Sequence, residues 1–431
     1  MKKSLIISLI IILFNSTTYA FSLKDALIKA YEDNAELNAE RESLKASKQD
    51  LNISTSNYLP SITLSGSKSE VDTDKLTNRD GSSASITNAN TESKSILIEQ
   101  TLIDFGRGAD FKKNKIGFEL AKIKLLKKEQ EIFYKAIEAY TGLLLAIEKL
   151  SINKENLDLL ERQFETDAIR LDKGEISLSD LAQSESSLAG AQAQLIEAEN
   201  QVTTSKLNYE NIIGTINDLT SLEKSLNAIV TVPESLETAT QISKSKNPDL
   251  NIAKLELEQS KKDVNIAQSD LAPTAGLTFE RTYDDDLSAT YDEREKDVMK
   301  ATVTWPFFSG GKNIASIKKN KNLKVRKELL LNNQIKTNQT NVASAWSTLQ
   351  SSKGFLNSVQ SQVKASQIAS EGINAEYESG SGRTTLEVIQ SNTLLLNAKI
   401  SLANAERDYL LSQYNLLKFI GLLTNDHLNL K

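Results

Sequence analysis

The chain contains the same helical hairpin twice, and few folds can accommodate that. Leu181, Leu188, Leu195, Val202 and Tyr209 fall seven apart, the first four followed three residues later by Ser184, Ala191, Ala198 and Ser205. Adding 207 to each number recovers Val388, Leu395, Leu402, Tyr409 and Leu416, flanked by Ser391, Ala398, Ala405 and Ser412. Both stripes are coiled-coil seams with small residues at alternate core positions, and both start at a glycine-bearing turn, near residues 174–181 and 380–388. A shift of 213 carries Leu23, Ala26, Asn34, Leu37 and Pro60 onto Leu236, Ala239, Asn247, Leu250 and Pro273. The repeat therefore divides the chain at 21–214 and 235–421, with a linker at 215–234 and a tail at 422–431.

Lys2 and Lys3 precede the apolar run at residues 5–14, and Thr18-Tyr19-Ala20 offers a small-residue cleavage site, so residues 1–20 read as a secretory signal peptide. The run is shorter than the ~20 apolar residues that a bilayer requires of a helix. No later stretch is long and apolar enough either, so a membrane could be crossed only by strands. Cysteine is absent, which excludes disulfides and thiol lipidation. The 51 basic and 57 acidic residues give a net charge of -6, or -8 once Lys2 and Lys3 are removed, which disfavours nucleic acid as a partner.

Residues 22–57 read as a helix capped by Ser22 and stopped at Leu59-Pro60. After Pro60 the hydrophobic period becomes two, with Ile62 and Leu64 alternating against Thr63 and Ser65. The second copy alternates Ala275, Leu277, Phe279 and Tyr283 against Thr274, Gly276, Thr278, Glu280 and Thr282. Return strands carry Ile96, Ile98 and Leu102, with Gln100 as the odd polar member, and Met299, Ala301, Val303 and Trp305. Four strands of about ten residues with one apolar face suit a transmembrane barrel, and Tyr58, Tyr283 and Trp305 near their ends suit its aromatic girdle. A soluble sheet with one buried face is the alternative.

Residues 71–92 and 284–296 read as solvated loops. The Asp284-Asp285-Asp286 triplet lacks the spaced ligands of a calcium loop and reads as a solvated charge run. Glycines at Gly106, Gly108, Gly310 and Gly311 are expected to turn strand into helix. The helices that follow carry Ala136, Leu143, Leu150, Leu157, Phe164 and Leu171 in one copy and Ile335, Val342, Leu349, Leu356 and Val363 in the other. Some 65 residues at ~1.5 Å each make a rod of about 100 Å, which no compact globule accommodates. The fold expected is mainly α with a small β part, namely long antiparallel coiled-coil hairpins plus four strands, duplicated.

Catalysis has little to work with. The one histidine, His427, reads as a solvated tail residue, and the sequence offers no metal set, no cofactor motif and no phosphate loop. The tips are more informative, because Ser177 with Asp180 and Thr384 with Glu387 are capping boxes. Arg383, a cation in the first turn of a helix, opposes the helix dipole and should find a partner elsewhere.

This organisation resembles the TolC family of outer-membrane efflux and secretion channels over essentially the whole mature chain. The resemblance rests on the duplication, on Tyr58-Leu59-Pro60 and Leu271-Ala272-Pro273 opening strands, on the run from Trp305 through Gly310 and Gly311, and on glycine tips followed by Asp180-Leu181 and Glu387-Val388. It implies a homotrimer with a twelve-stranded barrel in outer-membrane lipid and a periplasmic helical tunnel. Residues alone require only an oligomer, since four strands leave open edges in lipid. The resemblance also implies a gate in which Arg383 pairs with Ser179 and Asp180 of a neighbouring chain, Tyr377 reaches Asp180 within its own chain, and Glu387 faces the pore. Gln390 stands where many relatives have a second acid, so the constriction should be less acidic. Tips bearing Gly174, Gly380 and Gly382 would dock a periplasmic adaptor, and an inner-membrane pump or ABC transporter would supply energy. A periplasmic coiled-coil adaptor and a surface adhesin, neither with a pore, are the rival readings, disfavoured by two hairpins and four two-faced strands.

Overall fold

A computed structural model describes residues 21–430 apart from 86–89, 217, 226, 288–290 and 381, so the expected signal peptide lies outside the described residues. In chain order the elements are α1 (Leu23–Asp33), α2 (Ala35–Ser56), β1 (Ser61–Lys68), β2 (Glu92–Ile103), α3 (Arg107–Asp172) and α4 (Leu178–Ile212). After a short turn at Leu219–Ser221 come α5 (Leu236–Lys246), α6 (Pro248–Ser269), β3 (Thr274–Asp285), β4 (Glu293–Thr304), α7 (Lys312–Glu378), α8 (Thr385–Ile420) and α9 (Asn425–Leu428). The protein is mainly helical with one small antiparallel sheet, as the periodicities imply.

The single helix expected over 22–57 is in fact two. Asn34 leaves helical geometry with ψ 122°, and its side chain accepts from the Leu37 amide (3.2 Å), opening α2. Asn247 also leaves helical geometry in the second repeat, with ψ 123°, where the following Pro248 disfavours the helical region at the residue before it. Each asparagine also donates to the end of a return helix, Asn34 to the Ile212 carbonyl (3.3 Å) and Asn247 to the Phe419 carbonyl (2.8 Å).

Two compact units emerge, and each draws on both repeats. The first takes the chain up to Asn38, Lys128–Asn247 and Thr340 onward. Its core joins Leu27, Phe133, Ile137, Tyr140, Leu143, Tyr209, Ile213, Leu416 and Leu417, all fully buried. The linker is tied to this core, because the Tyr140 hydroxyl lies 2.8 Å from the carbonyls of Phe21 and Glu223, and the Tyr414 hydroxyl accepts from the Ile229 amide (3.0 Å). His427 is no solvated tail residue. It sits half-buried in α9, beside the buried Leu428 and Leu430, on a segment whose Asn425 amide donates to Glu129.

In the hairpins the small residues form the seam. Ser184, Ala191 and Ala198 of α4 and Ser391, Ala398, Ala405 and Ser412 of α8 are buried, while Leu181, Leu188, Leu195, Leu395 and Leu402 are only half-covered. On α3 the buried row near the tip is Ala146, Asn153, Leu160 and Asp167, four residues before the expected row of Leu150, Leu157, Phe164 and Leu171, which is half-buried. Small side chains let the backbones approach closely, so along the middle of the hairpins the larger ones flank the seam, while Val388, Tyr209 and Leu416 at its ends are buried.

The second unit comprises Ala39–Lys127 and Pro248–Gln339 and carries the sheet, in the order β1-β2-β3-β4. Opposed residues share a face. Ile62, Ile98, Phe279 and Met299 form one row and Leu64, Ile96, Arg281 and Asp297 the next. The other face carries Ser61, Glu99, Thr278 and Lys300, then Thr63, Leu97, Glu280 and Val298. A bulge at Leu102 hands the place opposite Ala275 to Ile103. Gln100 is polar because its amide ties the strand to the Tyr58 carbonyl (3.3 Å).

The loop expected over 284–296 is shorter than the sequence suggests, because β3 continues to Asp285 and β4 starts at Glu293. Asp284 is drawn into the sheet by Ser93 on β2 (2.5 Å) and Arg294 on β4 (2.6 Å). At the strand-to-helix junctions only Gly310 and Gly311 adopt positive φ, 59° and 81°. Gly106 serves by its size instead, since a Cβ there would lie 2.6 Å from the Ser269 hydroxyl oxygen.

Candidate functional site

At the tips, α3 turns into α4 and α7 into α8. Gly174 and Gly380 both take φ of 74°, closing the incoming helices, and Gly382 takes 91° in the longer second turn. Ser177 then opens α4. Its hydroxyl accepts from the Asp180 amide (3.2 Å), and the Asp180 carboxylate accepts from the Ser177 amide (3.0 Å). Thr384 and Glu387 repeat this reciprocal pair on α8, at 3.3 and 2.8 Å. Both acids are held below their ordinary carboxyl values, Asp180 chiefly by the Ser177 hydroxyl and Glu387 chiefly by the Thr384 amide, with Arg383 adding to the second.

Arg383 spans the second turn, donating from Nε to Glu376 (2.6 Å) and from Nη1 to Glu387 (3.0 Å). Those two carboxylates raise its value further. Within one chain, then, the cation that opposes the dipole is answered by a carboxylate on each side of its own turn. Ser179 and Gln390 are exposed, as are Gly174, Gly380 and Gly382. In the first turn Arg170 donates to Glu175 (3.0 Å).

Tyr377 departs from the expected pairing. Its hydroxyl donates to Asp167 (2.5 Å), not to Asp180, and lies 2.9 Å from the Thr385 hydroxyl, which must donate to it. In the sequence the signal of a changed turn is the spacing from Gly380 to Glu387, one residue longer than that from Gly174 to Asp180. Nothing in the tip motif points to Asp167, which lies within the helix. It is fully buried and also receives the Gln163 amide (3.0 and 3.1 Å) and the Ser184 hydroxyl. The Arg170 guanidinium stacks 4.3 Å from the centre of the Tyr377 ring. Burial, then the Asp167 carboxylate, raise the Tyr377 phenol above its ordinary value.

The sheet offers the second functional surface. Its apolar face exposes Ile62, Leu64, Met299 and Val303, the last three by about three-quarters of their area, in the range 73–74%. Tyr58 and Trp305 stand exposed at one end, Trp305 donating to the Leu271 carbonyl (3.0 Å), and Tyr283 shares a row with Lys94 and Glu295 at the other. Arg281 and Asp297 form a forked ion pair on this face, both bonds 2.7 Å. The opposite face sets Glu99, Glu280 and Asp284 against Lys300, Lys296 and Arg294. Among the described residues no group of three or more acidic or histidine side chains could hold a metal ion.

Paired coiled-coil hairpins joined to a two-faced four-stranded sheet define the class of outer-membrane channel proteins. The model of that class described as outer membrane efflux protein matches residues 26–215 and 239–422, and the chain belongs to that family. The outer membrane efflux protein BepC of Brucella suis biovar 1 is 27% identical over 419 residues, covering 95% of this chain and 87% of that protein. The alkaline protease secretion protein AprF of Pseudomonas aeruginosa is 21% identical over 427 residues, covering 97% and 88%. Among solved structures, CusC superposes with a TM-score of 0.79 at 17% identity, covering 93% of this chain and 92% of that one. The CmeC outer membrane channel of Campylobacter jejuni gives 0.79 at 17%, covering 93% and 85%.

Proposed function

We propose that this protein is the exit duct of a tripartite efflux pump or type I secretion system, a homotrimer with no chemistry of its own. The observation that carries this reading is a four-stranded sheet that ends in unpaired β1 and β4 and turns a strongly exposed apolar face outward. Pooling three sheets would join every β1 to a neighbouring β4, abolish the edges and place the apolar face in lipid. From Trp305 to the row of Tyr283 and Glu295 is ten residues, roughly 34 Å of strand at ~3.4 Å each. A tilt of about 40° reduces that to roughly 26 Å, close to the ~25 Å band of such barrels. The inward face would then present three acids against three bases per chain, a lumen without strong charge preference that suits solvated cargo.

The tips would form the periplasmic entrance. Ser179, Asp180, Tyr377, Arg383, Glu387 and Gln390 would line or hold the constriction, and Gly174, Gly380 and Gly382 would mark the grooves that dock a periplasmic adaptor. An inner-membrane pump or ABC transporter would choose the cargo and supply the energy. Detergent-extracted protein reconstituted in planar bilayers should give discrete conductance steps, and Arg383→Glu should enlarge them. Folded oligomer that never conducts would refute the reading.

A further inference from the structure

Next to the sheet, the start of α3 lies along α6. Lys113 pairs with Asp263 (2.7 Å), and the Gln259 side-chain amide donates to the Lys113 carbonyl (3.5 Å). Gly117 leaves room for that amide, since a Cβ there would lie 3.1 Å from its nitrogen. The joint ties the helix that follows β2 to the helix that precedes β3. It therefore continues the β2–β3 pairing and binds the first repeat to the second.

Each member of this joint has an equivalent in the other repeat. Phe111-Lys112-Lys113-Asn114-Lys115 returns 206 residues on as Ile317-Lys318-Lys319-Asn320-Lys321. The register holds in space, because Asn114 and Asn320 each donate to the carbonyl four residues back, at 3.2 and 3.0 Å. Moving back by 213, Asp263 becomes Asp50 and Gln259 becomes Ala46. A second joint of the same kind would thus use α7 and α2, with Lys319 opposite Asp50 and Leu323 opposite Ala46. The charges keep their signs, and the bulk changes sides, from glycine against glutamine to leucine against alanine.

One chain does not make that second joint. Lys319, Asp50 and Ala46 are exposed, Leu323 is 44% exposed, and neither Lys319 nor Asp50 pairs with a described residue. The apolar neighbours show the same contrast. Ile53 and Leu329 are exposed by 61% and 64%, whereas their equivalents Ile266 and Ile123 are half-buried. A third contact of the first joint, Lys127 with Asp249 (2.8 Å), has no second version. Asn333 and Glu36 stand there, and Glu36 is held by its own Lys128 and Lys135.

We propose that α7 of one copy docks on α2 of the next in the manner of the α3–α6 joint, with Lys319 paired to Asp50 of the next copy and Leu323 seated over its Ala46. The occupant of this exposed face is a second copy of the chain, because the complementary charge and the complementary size are both found in its own α2. The joint would continue the contact between β4 of one copy and β1 of the next, so it rests on the reading of the sheet as part of a shared barrel. It assigns the residues that hold the copies together outside the strands.

The test uses full-length chains, which have no native cysteine. Chains carrying Ala46→Cys and chains carrying Leu323→Cys, co-expressed and treated with a short bifunctional maleimide, should give a covalent dimer. Neither chain alone should give one. Should Leu323→Cys fail to assemble, Asp50→Cys and Lys319→Cys take the place of that pair. In the second arm, Lys319→Asp and Asp50→Lys should each lower the temperature at which the oligomer dissociates in detergent by roughly 5 °C, and their combination should recover most of the loss. Strand cysteines on β1 and β4 that link between chains while the helix pairs do not would overturn the joint and leave the barrel standing. Additive losses in the charge-swapped double variant would also overturn it. If neither strands nor helices link between chains, the joint and the barrel reading fall together.

Discussion

The two hairpins share a capping box, a glycine turn with the same φ and a seam of small residues, yet they bury different chemistry behind their tips. The first holds a carboxylate, Asp167, that draws donors from three other helices directly or through Tyr377. The second holds Asn374 and Ser370 in a cluster with Asn392, all drawn from its own two helices. Their turns differ in the same sense, since the first is one residue shorter and clasped by Arg170 and Glu175, while the second has two left-handed glycines and a doubly paired Arg383. Two rods built on one repeat pattern thus differ most in what lies behind their tips.

The sharpest contrast between the copies should appear where each return helix ends. Gly421 has φ of 83° and a missing Cβ whose place lies 2.4 Å from the Lys246 carbonyl oxygen, whereas the space beside Gly214 is filled only by the flexible end of Lys29 at 2.9 Å. Gly421→Ala should therefore cost about 3 kcal/mol and Gly214→Ala about 1 kcal/mol. Thermal midpoints of the detergent-solubilised protein would rank them, and equal losses would remove this contrast. Next in size is Asn374→Asp, which puts a carboxylate where only the second hairpin's donors reach and turns a donor toward Asn392 into a repulsive oxygen. It should cost about 2 kcal/mol by the same measurement.

The caps should behave alike. Ser177→Ala and Thr384→Ala are each expected to loosen their helix start by about 1 kcal/mol, read as faster amide exchange in the first turns of α4 and α8. The smallest effect is that of acid. Asp180 and Glu387 titrate below their ordinary values of 3.8 and 4.5, so each contributes stability that is present above those values and lost as pH falls through the lower folded ones. Protection at both tips, taken relative to the intrinsic exchange rate at each pH, should stay flat from neutrality to about pH 5 and fall below about pH 4. A loss of protection already at pH 6 would contradict the assignment.

Much of the molecule was legible because heptads, alternation and capping boxes are local patterns. The strand faces follow from period two, and register confirms them down to Gln100. What the sequence concealed was set by contacts distant in the chain. Asn34 looks like an ordinary helical residue until the end of α4 is brought beside it, and the half-burial of His427 depends on α9 folding back onto Glu129. Asp167 sits in a row of helix positions that nothing local marks, and only its four-helix surroundings make a buried acid tolerable. Asp284 looked like loop for the same reason, its partners Ser93 and Arg294 lying on two other strands.

The account depends most on the sheet of one chain being an arc of a closed barrel. Because the protein has no native cysteine, single cysteines along β1 can be combined with single cysteines along β4 and oxidised in the outer membrane. The account expects a covalent ladder of one, two and three chains that stops there. Disulfides that close within one chain, or a ladder that runs on past three, would contradict it.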